Sequence, residues 1–313
     1  MTRVAMALTV QDKVRSRFCG RQKLMCRGQL PHPMNLEREY VRTVNAYNEL
    51  LHKTLREHLP SLRVAIGSYA GRLRGDAVYY SYGGDSTGDI IDATFAVMQA
   101  IFESRAQAFG VERRILGLAH QARQISINSW RNLVRNTLGI NIVQDYYMGE
   151  FFRSMMNQWV TNNVGLITSA PQSTLAELHN IITAGFQSNL SNHDLSRQIQ
   201  KTYNAGIKKS QFWARDQIAK LNADMQQQQQ ADAGVQEYVW STSGDERVRE
   251  DHKHFDGKRF HWSKPPMNYY DTKSKGQVNT APYHPGKAYR CRCVALPVFD
   301  IATLSLPWEG EAV

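Results

Sequence analysis

Two cysteines one residue apart, Cys291 and Cys293, close a stretch that opens with His284, Pro285 and Gly286. Upstream, SGDERVREDHKHFDG crowds Asp245, Arg247, Arg249, His252 and Asp256 into one short run. Three kinds of chemistry can be built from these residues. Thiolates and imidazoles are ligands for zinc. A histidine beside an aspartate has its tautomer fixed and its pKa raised, which suits acid–base work, and a nearby arginine can clamp a phosphate. The third use is structural: a polar network can tie together a small module that is short of apolar residues.

Spacing suggests how the charged run is held. Ser243 with Glu246 reads as a capping box, so a short helix is expected from Gly244. At 100° per residue, Asp245, Arg249, His252 and Asp256 then fall within about 60° of one another. Asp245 and Arg249 would pair at i,i+4, and Arg247 would turn away to meet Asp251. No nucleophile accompanies the histidine, so the structural reading of Asp245, Arg247, Arg249, His252 and Asp256 is preferred, with no catalytic residue assigned.

The metal reading draws on His252, His284, Cys291 and Cys293, with His254 nearby. A small module with little core gains much from a structural zinc. Cys-x-Cys is not the usual Cys-x2–4-Cys chelate, yet in a strand both sulfurs would share one face. The alternative is a pair of partly buried thiols with Arg292 reaching out between them. Both readings stay open. The HPG turn would hold His284 and the cysteine strand against the 245–256 helix.

The elements that must position these groups fall into three regions. Residues 1–34 carry Arg15, Arg17, Arg21 and Lys23 in a basic tail, and these four are candidate DNA contacts. Residues 35–234 are helical. Leu36, Tyr40, Val44, Tyr47, Leu51 and Leu55 trace one amphipathic stripe, with Asn35 as N-cap and Pro60 as stop. Residues 61–86 read as a loop or short hairpin. From about residue 88 to 160, Ile90, Ile91, Phe95, Met98, Ile101 and Phe102 form one stripe, and Ile115, Leu118, Ala122, Ile125 and Trp130 another. Gly110, Gly139 and Gly149 mark breaks, and Ser86 with Asp89 is a capping box. Capping patterns at Thr174/Glu177 and Ser191/Asp194 predict two further helices, and a third from about 207 ends in a glutamine run placed on a solvated surface. After Gly234 the period changes to alternation, so 235–313 is expected to be a small mixed module. The fold class is α+β: a mainly helical N-terminal region followed by that module.

Composition sets the class of partner. A net charge of +10 favours acidic partners such as nucleic acid. Four cysteines in 313 residues are too sparse for a disulfide scaffold and point to synthesis in a reducing compartment. No apolar run reaches the roughly 18 residues of a membrane helix, and the N-terminus lacks a secretory core. A soluble, unexported protein is expected.

The ordered set of motifs resembles the phage head morphogenesis proteins, the Mu F-like minor head proteins among them. Ala214 and Arg215 on a helix, Gly234, the Trp240 strand, Asp245, Arg247, Arg249, His252, Asp256-Gly257, His284-Pro285-Gly286 and Cys291-Arg292-Cys293 carry it. It spans roughly 165–298, with 258–281 and the interval from His284 to Cys291 longer than in the tightest form of the pattern. It implies a minor head protein at the portal vertex, acting in procapsid assembly, DNA packaging or DNA delivery. The implied partners are the portal protein, other head proteins and, non-specifically, packaged DNA, with no membrane in the assembled head. The implied location is the virion head, after assembly in the host cytoplasm. The resemblance implies no catalysis. The rival is a nuclease-like or phosphotransfer enzyme using Asp245, Arg249 and His252.

Overall fold

The computed structural model describes residues 9–73, 87–143, 146–188, 192–246, 248–272, 277–289 and 291–309. In chain order the elements are α1 (Val10–Arg17), β1 (Lys23–Met25), α2 (Met34–Leu73), α3 (Thr87–Phe109), α4 (Val111–Leu138), a 3-10 turn (Tyr146–Met148), α5 (Glu150–Gln187) and α6 (Asn192–Asp232). There follow β2 (Glu237–Ser241), α7 (Glu250–Phe255), β3 (Arg259–His261), β4 (Met267–Thr272), β5 (Gln277–Pro282) and β6 (Val294–Asp300). The protein is α+β, helical first and mixed at its C-terminal end, as the sequence predicts.

The chain forms two compact units. One comprises Met1–Glu37, Leu118–Trp159 and Arg215–Val313; the other comprises Arg38–Gly117 and Val160–Ala214. The second is helical. Its part of the α2 stripe, Tyr40, Val44, Tyr47, Leu51 and Leu55, is buried throughout. Inside it Tyr40 Oη donates to Asn163 Oδ1 at 2.5 Å, which places a polar tie in an otherwise apolar contact.

The first unit holds all four strands of the larger sheet, in the order β1-β6-β2-β3 and antiparallel throughout. β2 pairs with β6 from Glu237↔Val298 to Ser241↔Val294. Tyr238, Val239 and Trp240 are all buried, so β2 is covered on both faces rather than half-exposed. β4 and β5 form a separate two-stranded ribbon. Ahead of the sheet, α1 carries a capping box in which Thr9 and Asp12 bond reciprocally. Its buried Val10 and Val14 anchor it.

Several local expectations are corrected. α2 does not stop at Pro60: it continues to Leu73 with the proline inside it. An interior proline costs roughly 3 kcal/mol of helix, which burial of Leu55 and Leu62 on either side offsets. Residues 61–73 are therefore helical, and 74–86, with Ser86 of the expected capping box, lie outside the described residues. Asn35 is not the N-cap. The helix begins at Met34, where Pro33 O accepts from the backbone N–H groups of Leu36 and Glu37. α5 runs through Pro171 and Thr174, and the Thr174 hydroxyl donates to Ala170 O at 2.9 Å instead of capping a new helix. No break separates 192–205 from 207–231, since α6 is continuous; Ser191 lies outside the described residues. Ile125 is exposed, unlike the rest of its stripe. By contrast the helices do break at Gly110, Gly139 and Gly149, the first two with φ of +63° and +73°.

The glutamine run is also corrected. Gln226, Gln229 and Gln230 are buried. Gln230 Nε2 donates to Ala295 O of β6 at 2.7 Å, and its Oε1 accepts from Trp262 Nε1 at 3.1 Å. Gln229 Oε1 accepts from Ser126 Oγ at 3.2 Å. The side-chain amide of Gln230 thus stitches α6 to the sheet, a use invisible in a low-complexity run.

Among the described residues, no helix is long and apolar enough to cross a membrane. Replacing Gln230 by Leu keeps its volume but strands a buried carbonyl and an indole N–H, at about 1–3 kcal/mol each. Urea unfolding of Gln230→Leu should show roughly 2–4 kcal/mol of lost stability, against under about 1 kcal/mol for the less buried Gln227→Leu.

Candidate functional site

Three elements of the first unit converge on His252. β2 supplies Trp240, α7 supplies His252, and the segment leading into β6 supplies Cys291 and Cys293. With Tyr238, Ala288 and Ala295 the cysteines form a buried core, flanked by Phe255, Phe260, Trp262 and Tyr283. The imidazole packs edge-on to Trp240, with ring centroids 5.1 Å apart. His252 Nδ1 lies 3.5 Å from Cys291 Sγ and 3.5 Å from Cys293 Sγ. His252, Cys291 and Cys293 are 2%, 3% and 5% exposed, so three polar ligand-type groups are buried together.

The path to this geometry differs from the expected one. No helix begins at Gly244, which has a φ of +69°. α7 starts at Glu250, with Arg249 at its N-cap and no side-chain cap bond. Asp245, Arg249, His252 and Asp256 therefore do not share one helical face. The Cys-x-Cys is not in a strand either, since β6 begins at Val294. A turn closed by Cys291 N donating to Ala288 O sets the first sulfur, and the chain then enters the sheet. Gly286 makes the tight approach possible. Its φ is +78°, and a Cβ there would lie 2.7 Å from Ala223 Cβ of α6.

Each predicted site residue has a definite place. Asp245 Oδ2 accepts from Arg292 Nη1 at 3.3 Å, and Arg292 Nε lies 3.6 Å from Glu37 Oε2, so Arg292 bridges two carboxylates. Asp256 Oδ1 accepts from the Thr242 backbone N–H at 2.8 Å. Arg249 donates to the Tyr289 carbonyl. Arg247 lies outside the described residues, and with it the expected meeting with Asp251. His284 stands apart from the His252 group: its Nδ1 faces Tyr238 Oη at 2.9 Å, and its ring packs on Trp262. His254 lies against Lys258 Nζ at 2.8 Å. Arg15, Arg17 and Arg21 are exposed, and Lys23 pairs with Glu237 at 3.0 Å. Sequence reasoning missed Trp240 as a wall of the site and Glu37 as its distant carboxylate, for nothing in the spacing ties residue 37 to residue 292.

The electrostatics of the two thiols are coupled. Cys291 is held well below the ordinary thiol range, first by the hydrogen bond from Cys293 and then, against burial, by His252 and the Gly286 backbone N–H. That N–H lies 3.4 Å from Cys291 Sγ. Cys293 is pushed up by the same neighbour and by burial. The two thiols therefore titrate as a pair. Beside them opens a cleft of about 560 Å3, lined among others by Glu37, Ser243, Asp245, Arg249 and Arg292.

Burial lowers the pKa of His284, opposed by its hydrogen bond with the Trp262 backbone. An imidazole harder to protonate when folded makes the unfolded chain take up the proton first. Stability should therefore fall as pH drops below about 6.5 until the lowered folded value is passed. The thermal midpoint of His284→Gln should lack that decline.

Comparison with known proteins covers this same stretch. Residues 176–296 match the family model described as phage Mu protein F like protein. A Haemophilus influenzae protein, described as uncharacterized, is 32% identical over 184 residues, which is 59% of this chain and 37% of that protein. The chain thus spans well under half of that relative. No solved structure matches the chain. The matched segment takes in the buried glutamines, β2, α7, the ribbon, Cys291 and Cys293, and over it the chain is similar to the phage Mu protein F like proteins.

Proposed function

We propose that the chain is a minor head protein of a phage, held at the portal vertex and acting in procapsid assembly, DNA packaging or DNA delivery. The match of residues 176–296 to the phage Mu protein F-like family carries the reading. It works as a structural and interaction protein rather than an enzyme. In support, the imidazole and the carboxylates that an enzyme would use as base and orienting groups are engaged inside the fold. His252 Nδ1 faces two sulfurs, Asp245 pairs with Arg292, and Asp256 accepts a backbone N–H. Its partners are the portal protein, other head proteins and packaged DNA, and it resides in the head after assembly in the host cytoplasm.

DNA contact falls to the basic N-terminal residues. Arg15 and Arg17 sit in the last turn of α1, whose anchoring presents them from a fixed support. With Arg21 and Lys23 they form a cationic stretch suited to phosphates, and binding of this kind is non-specific and salt-dependent.

Two measurements check this reading. Quantitative mass spectrometry of virions and empty procapsids carrying this chain should find it at low copy in both. Its absence from both would remove the head assignment and send the cleft to nuclease and phosphatase assays. Separately, duplex DNA binding across a salt series should lose steepness when Arg15, Arg17, Arg21 and Lys23 are changed to Gln. Each lost phosphate contact reduces the log–log slope by about 0.9, so the four together should reduce it by roughly 3.6. An unchanged slope would sink the DNA contact while leaving the head assignment standing.

A further inference from the structure

We propose that His252 Nδ1, Cys291 Sγ and Cys293 Sγ bind one zinc ion, with its fourth coordination position turned to the cleft lined by Ser243, Asp245 and Arg249. This inference stands on the geometry of the first unit and does not depend on the head assignment.

The ligand spacing carries it. Zn–N bonds of about 2.0–2.1 Å and Zn–S bonds of about 2.3 Å at a tetrahedral angle put nitrogen and sulfur about 3.6 Å apart. Both Nδ1–Sγ separations are 3.5 Å, and all three ligand atoms lie within 4.8 Å of one another. The set is built from two places in the chain, α7 and the lead-in to β6. A chance pairing of sequence neighbours does not explain it. Mixed nitrogen and sulfur donors at tetrahedral spacing select zinc over the oxygen-seeking magnesium and calcium.

The surroundings point the same way. A buried polar atom without a partner is costly, and His252 Nε2 has no hydrogen-bond partner among the described residues. Asp251 Oδ2 stands 4.0 Å from it. A ligating histidine commonly directs its other ring N–H at a carboxylate, which fixes the tautomer that leaves Nδ1 free to bind. Asp251 Oδ1 accepts from the His252 backbone N–H at 2.9 Å, which holds that carboxylate beside the ring. The Gly286 N–H aimed at Cys291 Sγ is the donor an anionic sulfur accepts. Opposite the protein ligands there is room. Among the described residues the ligand set has three members, and they line the cleft of about 560 Å3. Three protein ligands with an accessible fourth position is the arrangement in which zinc holds a water or an incoming donor. Asp245, Arg249 and Arg292 around that opening suit a polar, hydrogen-bonding guest.

The test uses the full chain. Native mass spectrometry and elemental analysis should find one zinc per chain, removed by a strong chelator with loss of thermal stability. Cys291→Ser, Cys293→Ser and His252→Gln should each abolish stoichiometric zinc, while Cys19→Ser retains it. Because those variants can fail to fold, the unaltered protein is also loaded with Co2+. Thiolate-to-cobalt charge-transfer bands and intense d–d bands should appear, and added cyanide should shift the d–d bands through the open position. A chain that holds no zinc and takes up no Co2+, zinc that survives Cys291→Ser/Cys293→Ser, or an intact mass showing Cys291 and Cys293 oxidised to a disulfide would overturn the site. A cobalt spectrum that cyanide leaves unmoved would overturn the open fourth position.

Discussion

The mixed module depends on burying an imidazole between two sulfurs. His252, Cys291 and Cys293 occupy the place where a larger domain would put leucines, beneath Trp240 and beside Ala288 and Ala295. Burying an imidazole without partners costs several kcal/mol on the scale for polar groups. Here the partners come from the far side of the β4–β5 ribbon in sequence, so α7 can rest on the sheet only when the Cys-x-Cys is delivered to it. The turn at Gly286, the bond from Cys291 N to Ala288 O and the β2–β6 register are the means of delivery.

The same logic explains the second polar tie. α6 packs on the sheet through Gln230, which bonds both a β6 carbonyl and the Trp262 indole. Both ties are made by polar groups that are wasted unless every partner arrives together. That is a source of cooperativity: each bond requires the strand, the helix and the loop at once. The carboxylate–guanidinium bridge from Glu37 through Arg292 to Asp245 adds a third tie, buried at Glu37 and open to water at Asp245, where it is worth less.

Sequence reasoning captured what local physics controls and missed what packing controls. The breaks at Gly110 and Gly139 were legible because a positive φ there is a backbone property of glycine. The α2 stripe was legible because Tyr40, Val44, Tyr47 and Leu51 repeat at helical spacing. Pro60 looked like a stop because its local cost is real, yet the buried residues around it settle the outcome. The capping box at Ser243 failed because Gly244 takes a left-handed turn, which moves the helix start to Glu250. At the site, residue type nominated His252, Cys291 and Cys293, but could not separate them from His284. That choice is made by Tyr238 and Trp262, which claim the His284 ring.

The segment that matches the phage Mu protein F like family model covers only part of the first unit. β1, from residues 23–25, supplies the edge strand beside β6, with Leu24 opposite Phe299. Gln11 of α1 reaches the Ala302 and Leu304 carbonyls, and Glu37 receives Arg292. A fragment limited to residues 176–296 ends within β6 and lacks β1, so it leaves an unpaired strand edge of the kind that drives aggregation. The basic residues and the His252–Cys291–Cys293 cluster therefore belong to one folding unit. Arg15 and Arg17 lie on a helix whose buried face closes the same unit as Cys291 and Cys293.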